Sequence, residues 1–329
     1  MAIYYVLLIT SALIWALTFL FTKQYQKYKG EGLVSSLKMS CISSAFIALM
    51  FYVKLTISLN EFTFYFTWFT FAITFAQAFV VFAGIYIGMK VLSVGDMSLY
   101  SMFMMLGSLI LPTLTGFLYG EAIDDRKIIG MILMIVALVL SLDSVEKKRM
   151  SLKVALYYFA AFVANGMMGV FLTIHQKNPE LTAGAYMQEG SWAINSDAYM
   201  VWYGLSAVLM SSVFLGILKV TSLKNERAKA LFVPQEGLPV VQGNLLKLLV
   251  ALIPVGYGLF CGFGDYFISL ATVPGALGAS VTFPINNGGT IVFSTLVGLI
   301  VLKEKINLKT ILSLIIILCS TMLFMFAPV

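Results

Sequence analysis

Long apolar stretches separated by short polar segments occupy most of this chain, and they restrict it to a membrane-spanning fold. Ten stretches are long enough, or nearly so, to cross a hydrocarbon core of roughly 30 Å, which takes about 20 helical residues. Hydrophobic residues make up 60% of the chain and charged residues only 11%, so we expect an outer surface that faces lipid. The stretches cover residues 2–22, 33–53, 64–89, 98–119, 127–143, 154–174, 198–219, 246–270, 276–302 and 307–326.

The apolar stretches are typical of α-helices and not of a transmembrane β-barrel, whose strands alternate apolar and polar residues. The first stretch has no basic residue before it and is too long for a signal peptide, so we interpret it as a helix. Cys41, Cys261 and Cys319 all lie inside predicted helices, which argues against disulfides and a metal site. The expected fold class is therefore an all-α integral membrane protein.

A sequence pattern that occurs twice divides the chain into two similar halves. Residues 120–130 recur in pattern at 303–313, each time between two long apolar stretches, and a Gly-x-Tyr pattern at 84–86 recurs at 264–266. Because each half holds five stretches, an odd number, the second half must enter the membrane from the opposite side. We therefore predict ten transmembrane helices as two inverted five-helix repeats, with a binding site where they meet near the midplane. The predicted repeats cover residues 1–145 and 151–329.

The basic residues are concentrated in the connections between the predicted helices. A net charge of +6 would point to nucleic acid in a soluble protein. Here the connections after the odd-numbered stretches carry most of the Lys and Arg, which places them in the cytoplasm and both termini outside. We expect the bacterial inner (plasma) membrane as the location, the lipid bilayer as a partner, and no nucleic-acid partner.

No group of residues in the sequence is typical of an enzyme active site. His175 is the only histidine, so neither a His/Cys metal cluster nor a Ser-His-Asp triad is available inside the membrane. The glycines at 256–264 lack the Lys-Ser/Thr of a phosphate-binding loop, and we expect them to bring neighbouring helices close together. The sequence therefore predicts a protein that is not an enzyme and that holds no metal and no cofactor.

Polar residues deep inside apolar stretches are costly, which makes them the first candidates for a functional site. Asn286 and Asn287 follow Pro284 in the ninth stretch and precede two glycines, a sequence that loosens a helix. Either an opened helix offers two amides to a polar substrate, or the amides of a kink bond to neighbouring helices. Asp265 is the only carboxylate of the eighth stretch. It either reaches the surface or pairs with a basic group there, or it acts in the site, as a coupling residue that takes a proton or a cation or as the partner of a cationic substrate.

Other polar and aromatic residues are weaker candidates for the same site. Aromatic side chains in membrane helices more often pack or lie at the interface than contact a ligand. Lys38, near the start of the second stretch, is expected to extend its ammonium group to the interface. The repeated Glu121 and Glu304 stand at turns, where a carboxylate caps the following helix. The further substrate-binding candidates are Asn165, Gln77, Trp15, Tyr86, Tyr100, Tyr257 and Tyr266.

The pattern as a whole resembles the drug/metabolite transporter superfamily in its ten-helix EamA-like form. The resemblance lies in the stretch that runs into Gly120-Glu121 and in the segment from Gly288 to Glu304, which is also similar to the small multidrug resistance proteins. Trp15 followed by Lys23 is similar to the opening pattern of the family. The resemblance implies alternating access and a central cavity lined by the first, third, fourth, sixth, eighth and ninth helices.

The sequence departs from the family pattern in two respects. Pro112 and Pro284 do not stand at the usual distance from the glutamates, and the first stretch has no acidic residue. The second departure argues against the proton-coupled cation export of the small multidrug resistance proteins.

From these features we expect a secondary transporter that moves a small polar or amphipathic metabolite, such as an amino acid, a sugar or a nucleoside-like solute. An integral membrane enzyme or flippase acting on lipid-linked substrates is the alternative, and a structural subunit is a third possibility. The expected partner is a small-molecule solute, and the chain is expected to act as a monomer or homodimer.

Overall fold

Helices form nearly all of the structure, a computed structural model. The described residues contain no strand, one five-residue helix, Glu226–Ala230, and ten helices of 18 residues or more. The structure describes residues 2–59, 66–94, 97–142, 152–177, 196–233, 238–239, 242–272, 276–303 and 308–327. The long helices are α1 (Ala2–Lys29), α2 (Leu33–Leu59), α3 (Trp68–Val94), α4 (Met97–Leu118), α5 (Asp125–Leu142), α6 (Leu152–Gln176), α7 (Ser196–Ser222), α8 (Asn244–Thr272), α9 (Ala279–Ile300) and α10 (Leu308–Met325).

The helices have the length and the surface of membrane-spanning segments. Among the described residues, eight helices are long and apolar enough to cross a membrane, namely all the long helices except α4 and α5. Large apolar side chains such as Ile57, Leu156 and Leu245 are exposed on their outer faces, as lipid contact requires. The expected class, an all-α membrane protein, is confirmed.

The helices pack mainly across the two halves of the chain. α1 packs on α8 and α9, and α6 packs in the same way on α3 and α4. α2 lies against α7, α4 against α9 and α5 against α10. If each helix of α1–α5 is exchanged with its counterpart in α6–α10 (α1 with α6, and so on), the main contacts are therefore unchanged. Helices from both halves surround the centre of the molecule.

Glycines permit the closest helix crossings. A Cβ added at Gly107 of α4 would lie 1.8 Å from the carbonyl oxygen of Phe162 of α6, and one added at Gly258 of α8 would lie 2.4 Å from the carbonyl oxygen of Ser43. These distances are shorter than any real contact, so only glycine fits without a backbone shift. Helix packing is thus the role of Gly258, as its sequence context predicts.

Candidate functional site

Two adjoining cavities, together called the central cavity, lie between the helices of the two halves. The space open to the centre of a water molecule has a volume of ≈ 30 Å³ in the first cavity and ≈ 40 Å³ in the second. Each cavity therefore holds only a few water molecules. Trp15, Asn165 and Met168 line both. Because so little space is open, a metabolite enters only if the helices move apart.

The walls of the first cavity come from six helices. They are α1, α3, α4, α6, α8 and α9, which are the helices that the family resemblance implied. Each contributes at least one polar or amphipathic side chain, and these are Trp15, Gln77, Ser108, Asn165, Asp265 and the pair Asn286 and Asn287.

The tyrosines predicted for the site divide among three places. Tyr100 and Tyr257 line the second cavity, next to Trp15. Tyr86 lines a separate, larger cavity at one end of the helices, and Tyr266 contacts Lys54 at the other end. Only the first two are therefore close to the polar side chains of the first cavity.

Four buried polar atoms of the first cavity have no hydrogen-bond partner among the described residues. They are Trp15 Nε1, Asp265 Oδ2, Asn286 Oδ1 and Asn287 Nδ2. An unpaired buried polar atom costs about 1–3 kcal/mol, so native structures hold few of them. Two donors and two acceptors therefore remain free in one cavity, which makes it the candidate site for a polar ligand.

The two asparagines bond to each other and to no other described helix. Asn286 Nδ2 donates to Asn287 Oδ1 over 3.4 Å, and both side chains are almost completely buried. Turning both amide groups by 180° again leaves one carbonyl oxygen and one amino group free, with the two roles exchanged between Asn286 and Asn287. The pair therefore offers one acceptor and one donor to a ligand in either orientation.

The helix that carries these asparagines is continuous, so the opened helix, the first of the two alternatives raised by the sequence, is wrong. Pro284 is the sixth residue of α9, which is helical from Ala279 to Ile300. The N–H that proline lacks would bond to the carbonyl of Ser280, four residues earlier in the first turns of the helix. The missing bond therefore does not interrupt the helix at Asn286 and Asn287.

Asp265 is buried in the cavity wall and does not reach the surface. Its exposed fraction is 8%, and no basic residue among the described ones forms an ion pair with it. The neighbouring groups are Tyr199, Tyr203 and Cys261. Among the described residues that line the first cavity, Asp265 is the only ionisable acid or base.

Asn165 and Gln77 are held by neighbouring helices, so they differ from the Asn286–Asn287 pair. Asn165 Nδ2 donates to the carbonyl oxygen of Met104 over 2.8 Å and to Ser108 Oγ over 2.9 Å. Gln77 accepts a hydrogen bond from the Tyr199 hydroxyl. These bonds tie α6 to α4 and α7 to α3, which fixes the shape of the cavity.

At one end of the molecule, Glu121 joins three elements into what we call the Glu121 cluster (Glu121, Lys177, Ala279 and Ser280). The carboxylate accepts the backbone N–H groups of Ala279 over 2.8 Å and of Ser280 over 2.7 Å, and Lys177 pairs with it at 2.9 Å. Burial raises the pKa of Glu121, but the bonds from Ser280, Lys177 and Ala279 outweigh it, so the pKa lies below its usual value.

Glu121 caps a helix, but not the following helix as the sequence led us to expect. Glu121 caps α9, in the other half of the chain. The following helix, α5, is capped instead by Asp124, whose Oδ1 accepts the N–H of Arg126 over 2.9 Å. Glu304, the repeated counterpart, lies outside the described residues.

A second polar cluster closes the same end of the molecule. Lys54 of α2 bonds to both carboxylate oxygens of Asp197 of α7, at 2.6 and 2.7 Å, and donates to the Tyr266 hydroxyl of α8 over 2.8 Å. Tyr266 thus links helix ends and does not line the central cavity.

A double-mutant cycle tests this cluster. Replacing Lys54 with Gln and Asp197 with Asn is expected to show a coupling free energy of about 0.5–1 kcal/mol, because the pair is only partly buried. The apparent free energy of unfolding in detergent is measured for the single variants and the double variant. Strictly additive single effects would contradict an interaction between the two side chains.

Sequence reasoning missed several residues that line the central cavity. Ser108, Met168 and Phe283 are part of the first cavity and Tyr203 of the second. Met168, Phe283 and Tyr203 are common residue types in membrane helices, so nothing in the sequence distinguishes them. Ser108, a hydroxyl inside an apolar stretch, carried a weak signal.

Comparison with known proteins gives support at the level of the fold. No family model and no curated protein matches this sequence. A crystal structure of another protein, 13% identical in sequence, aligns with 98% of this chain and 96% of its own chain at a TM-score of 0.62. The two chains therefore share a similar arrangement of helices over nearly their whole length.

Proposed function

We propose that this protein is a secondary transporter that moves a small polar or amphipathic metabolite by alternating access. The four free polar atoms of the central cavity carry the proposal, because leaving that many buried polar groups unpaired in one cavity is costly unless a bound molecule pairs with them. The site lies between helices of both halves, where secondary transporters bind substrate. The protein would act as a carrier and not as an enzyme, in a bacterial inner membrane, as a monomer or homodimer.

The packing of the helices supports an inverted duplication. Contacts that persist when α1–α5 and α6–α10 are exchanged are those expected of two five-helix repeats about a pseudo-two-fold axis. On this proposal α4 and α5 also cross the membrane, giving ten spans in repeats of 1–145 and 151–329. The same pattern supports membership of the drug/metabolite transporter superfamily in its EamA-like form.

The free atoms of the cavity indicate the chemistry of the solute. Trp15 and Asn287 offer hydrogen-bond donors, whereas Asn286 and Asp265 offer acceptors. Asp265 is the only ionisable acid or base among the described residues that line the first cavity, so a neutral or cationic solute fits better than an anion. A proton or cation taken by Asp265 would couple its charge state to substrate binding.

The contacts at one end of the molecule support a gate between the two halves. The end with the Glu121 cluster and Lys54 is held together by ion pairs and hydrogen bonds between the halves. We therefore propose that this end opens by separation of these polar groups during alternating access.

A thermal-shift screen against a metabolite library tests the function. A solute present at a hundred times its dissociation constant should stabilise the protein by about 2.7 kcal/mol. The stabilisation should weaken in Asn287→Ala, which removes a free donor, and persist in Asn244→Ala, an exposed residue at the start of α8. Hits that bind both variants equally well would place the site elsewhere, and the absence of any hit would count against a solute carrier.

A further inference from the structure

The large cavity at the end opposite the Glu121 cluster has a composition unlike that of the central cavity. It lies between the ends of α1 and α3, the starts of α2 and α8, and residues 230–233 and 238–239, and its volume is ≈ 890 Å³. Such a volume is typical of a ligand site. We call it the lysine cavity, because its lining includes Lys29, Lys38, Lys90 and Lys247.

Positive charge in the lysine cavity is only partly balanced. Lys90 pairs with Glu31 at 3.1 Å, whereas Lys29, Lys38 and Lys247 form no ion pair with any described residue. No carboxylate is among the described residues that line the cavity. Cations held around one concave surface repel each other and attract an anion, more strongly than on a flat surface.

One side of the lysine cavity continues into apolar surface. Ile42, Leu231 and Val233 line it and are also exposed. Lys38 stands five residues after Leu33, the first residue of α2, which is about 7–8 Å along the helix at 1.5 Å per residue. With the membrane boundary near the start of α2, Lys38 would lie at the depth of lipid headgroups, beside side chains that suit acyl chains.

We propose that the lysine cavity binds the phosphate headgroup of an anionic phospholipid. Basic pockets between membrane helices recognise such headgroups when they lie on the cytoplasmic side, where the charge distribution of the sequence places this end. The lysine ammonium groups would contact the phosphate, and the acyl chains would lie over Ile42 and Val233. A water-soluble phosphate compound shares the negative charge but has no acyl chain to contact the apolar side.

Lipid titration of the purified full-length chain tests the site. Thermal unfolding is followed in neutral detergent while phosphatidylglycerol, or zwitterionic phosphatidylcholine as a control lipid, is added in increasing mole fraction. Phosphatidylglycerol should stabilise the protein saturably. Because each lysine contributes about 1 kcal/mol at an anionic surface, Lys38→Gln/Lys247→Gln should weaken the apparent affinity about thirtyfold.

Matched variants separate this site from a general effect of charge. Lys224→Gln/Lys229→Gln removes two exposed lysines beyond the end of α7 that do not line the cavity, and it should bind phosphatidylglycerol as the wild type does. Lys38→Arg/Lys247→Arg retains both charges and should keep most of the affinity. Equal melting temperatures of all variants in phosphatidylcholine show that they are folded.

Three outcomes would overturn the proposal. Equal stabilisation by phosphatidylglycerol and phosphatidylcholine would show that the cavity does not select an anion. Equal weakening by both double Gln variants would show that lipid binds through charge in general. Glycerol phosphate or inorganic phosphate, titrated without lipid, should bind far more weakly; an affinity equal to that of the lipid would identify a soluble phosphate ligand instead.

Discussion

Replacing Asp265 with Asn is expected to abolish concentrative transport of any solute found in the screen, while equilibration down its gradient persists. The reason is that Asp265 is the only ionisable acid or base among the described residues that line the first cavity, and an amide carries no charge, takes up no proton near neutral pH and binds a cation more weakly than a carboxylate. The variant should stay folded, because the carboxylate has no ion pair among the described residues to lose. Uptake into proteoliposomes with and without an imposed ion gradient measures the effect.

Asp125→Asn is the matched control for this prediction. Asp125 is an exposed carboxylate at the start of α5, so its replacement should leave coupling unchanged. Concentrative transport that persists in Asp265→Asn would show that coupling resides elsewhere. Loss of both concentrative transport and equilibration would indicate that Asp265 binds the solute itself.

The second large effect is expected from Glu121. Glu121→Gln should lower the free energy of unfolding at neutral pH by about 2–3 kcal/mol, because a bond to a charged group is worth about 1.5–3 kcal/mol and the ion pair with Lys177 is lost. Gln retains one acceptor for the N–H groups of α9, so Glu121→Ala should cost more. Thermal or chemical unfolding in detergent measures the difference, with the exposed Glu226→Gln as control.

The contribution of Glu121 to the stability of the fold depends on pH. Its lowered pKa determines the direction of this dependence. A carboxylate whose pKa is lower in the folded state stabilises the fold fully above its unfolded pKa of about 4.3. That stabilisation disappears as pH falls through the folded pKa. The difference in stability between the wild type and Glu121→Gln should therefore be constant at neutral pH and shrink in acid. A difference that grows towards low pH would contradict the role assigned to the carboxylate.

Glu121 also provides a test of the closed end. Cys261 lines the second cavity and is buried, so it can report access when Cys41 and Cys319 are replaced by Ser. If the Glu121 cluster holds this end closed, losing about 1.4 kcal/mol of its stabilisation shifts the equilibrium about tenfold towards the open form. A water-soluble thiol reagent should then modify Cys261 about tenfold faster in Glu121→Gln, and an unchanged rate would argue against gating.

Periodic and compositional features of the sequence were sufficient for the fold class. Uninterrupted apolar stretches with few charges leave helices as the only practical spanning element, and the long helices overlap those stretches. α1 continues past residue 22 to Lys29. Its Lys- and Tyr-rich end is therefore helical although it lies beyond the apolar part. Asp265, Asn286 and Asn287 were also recognisable, since the cost of burying a polar group makes it conspicuous in an apolar helix.

The spatial partners of the candidate residues depended on the tertiary structure. Tyr86 and Tyr266 lie at opposite ends of the molecule and Tyr257 near its centre, because an aromatic residue suits core, interface and cavity alike. Glu121 caps a helix that begins 158 residues later, and no local pattern encodes such a distance. The sequence by itself thus determined which residues are costly to place in a membrane, and only the packing of the helices decided which of them meet.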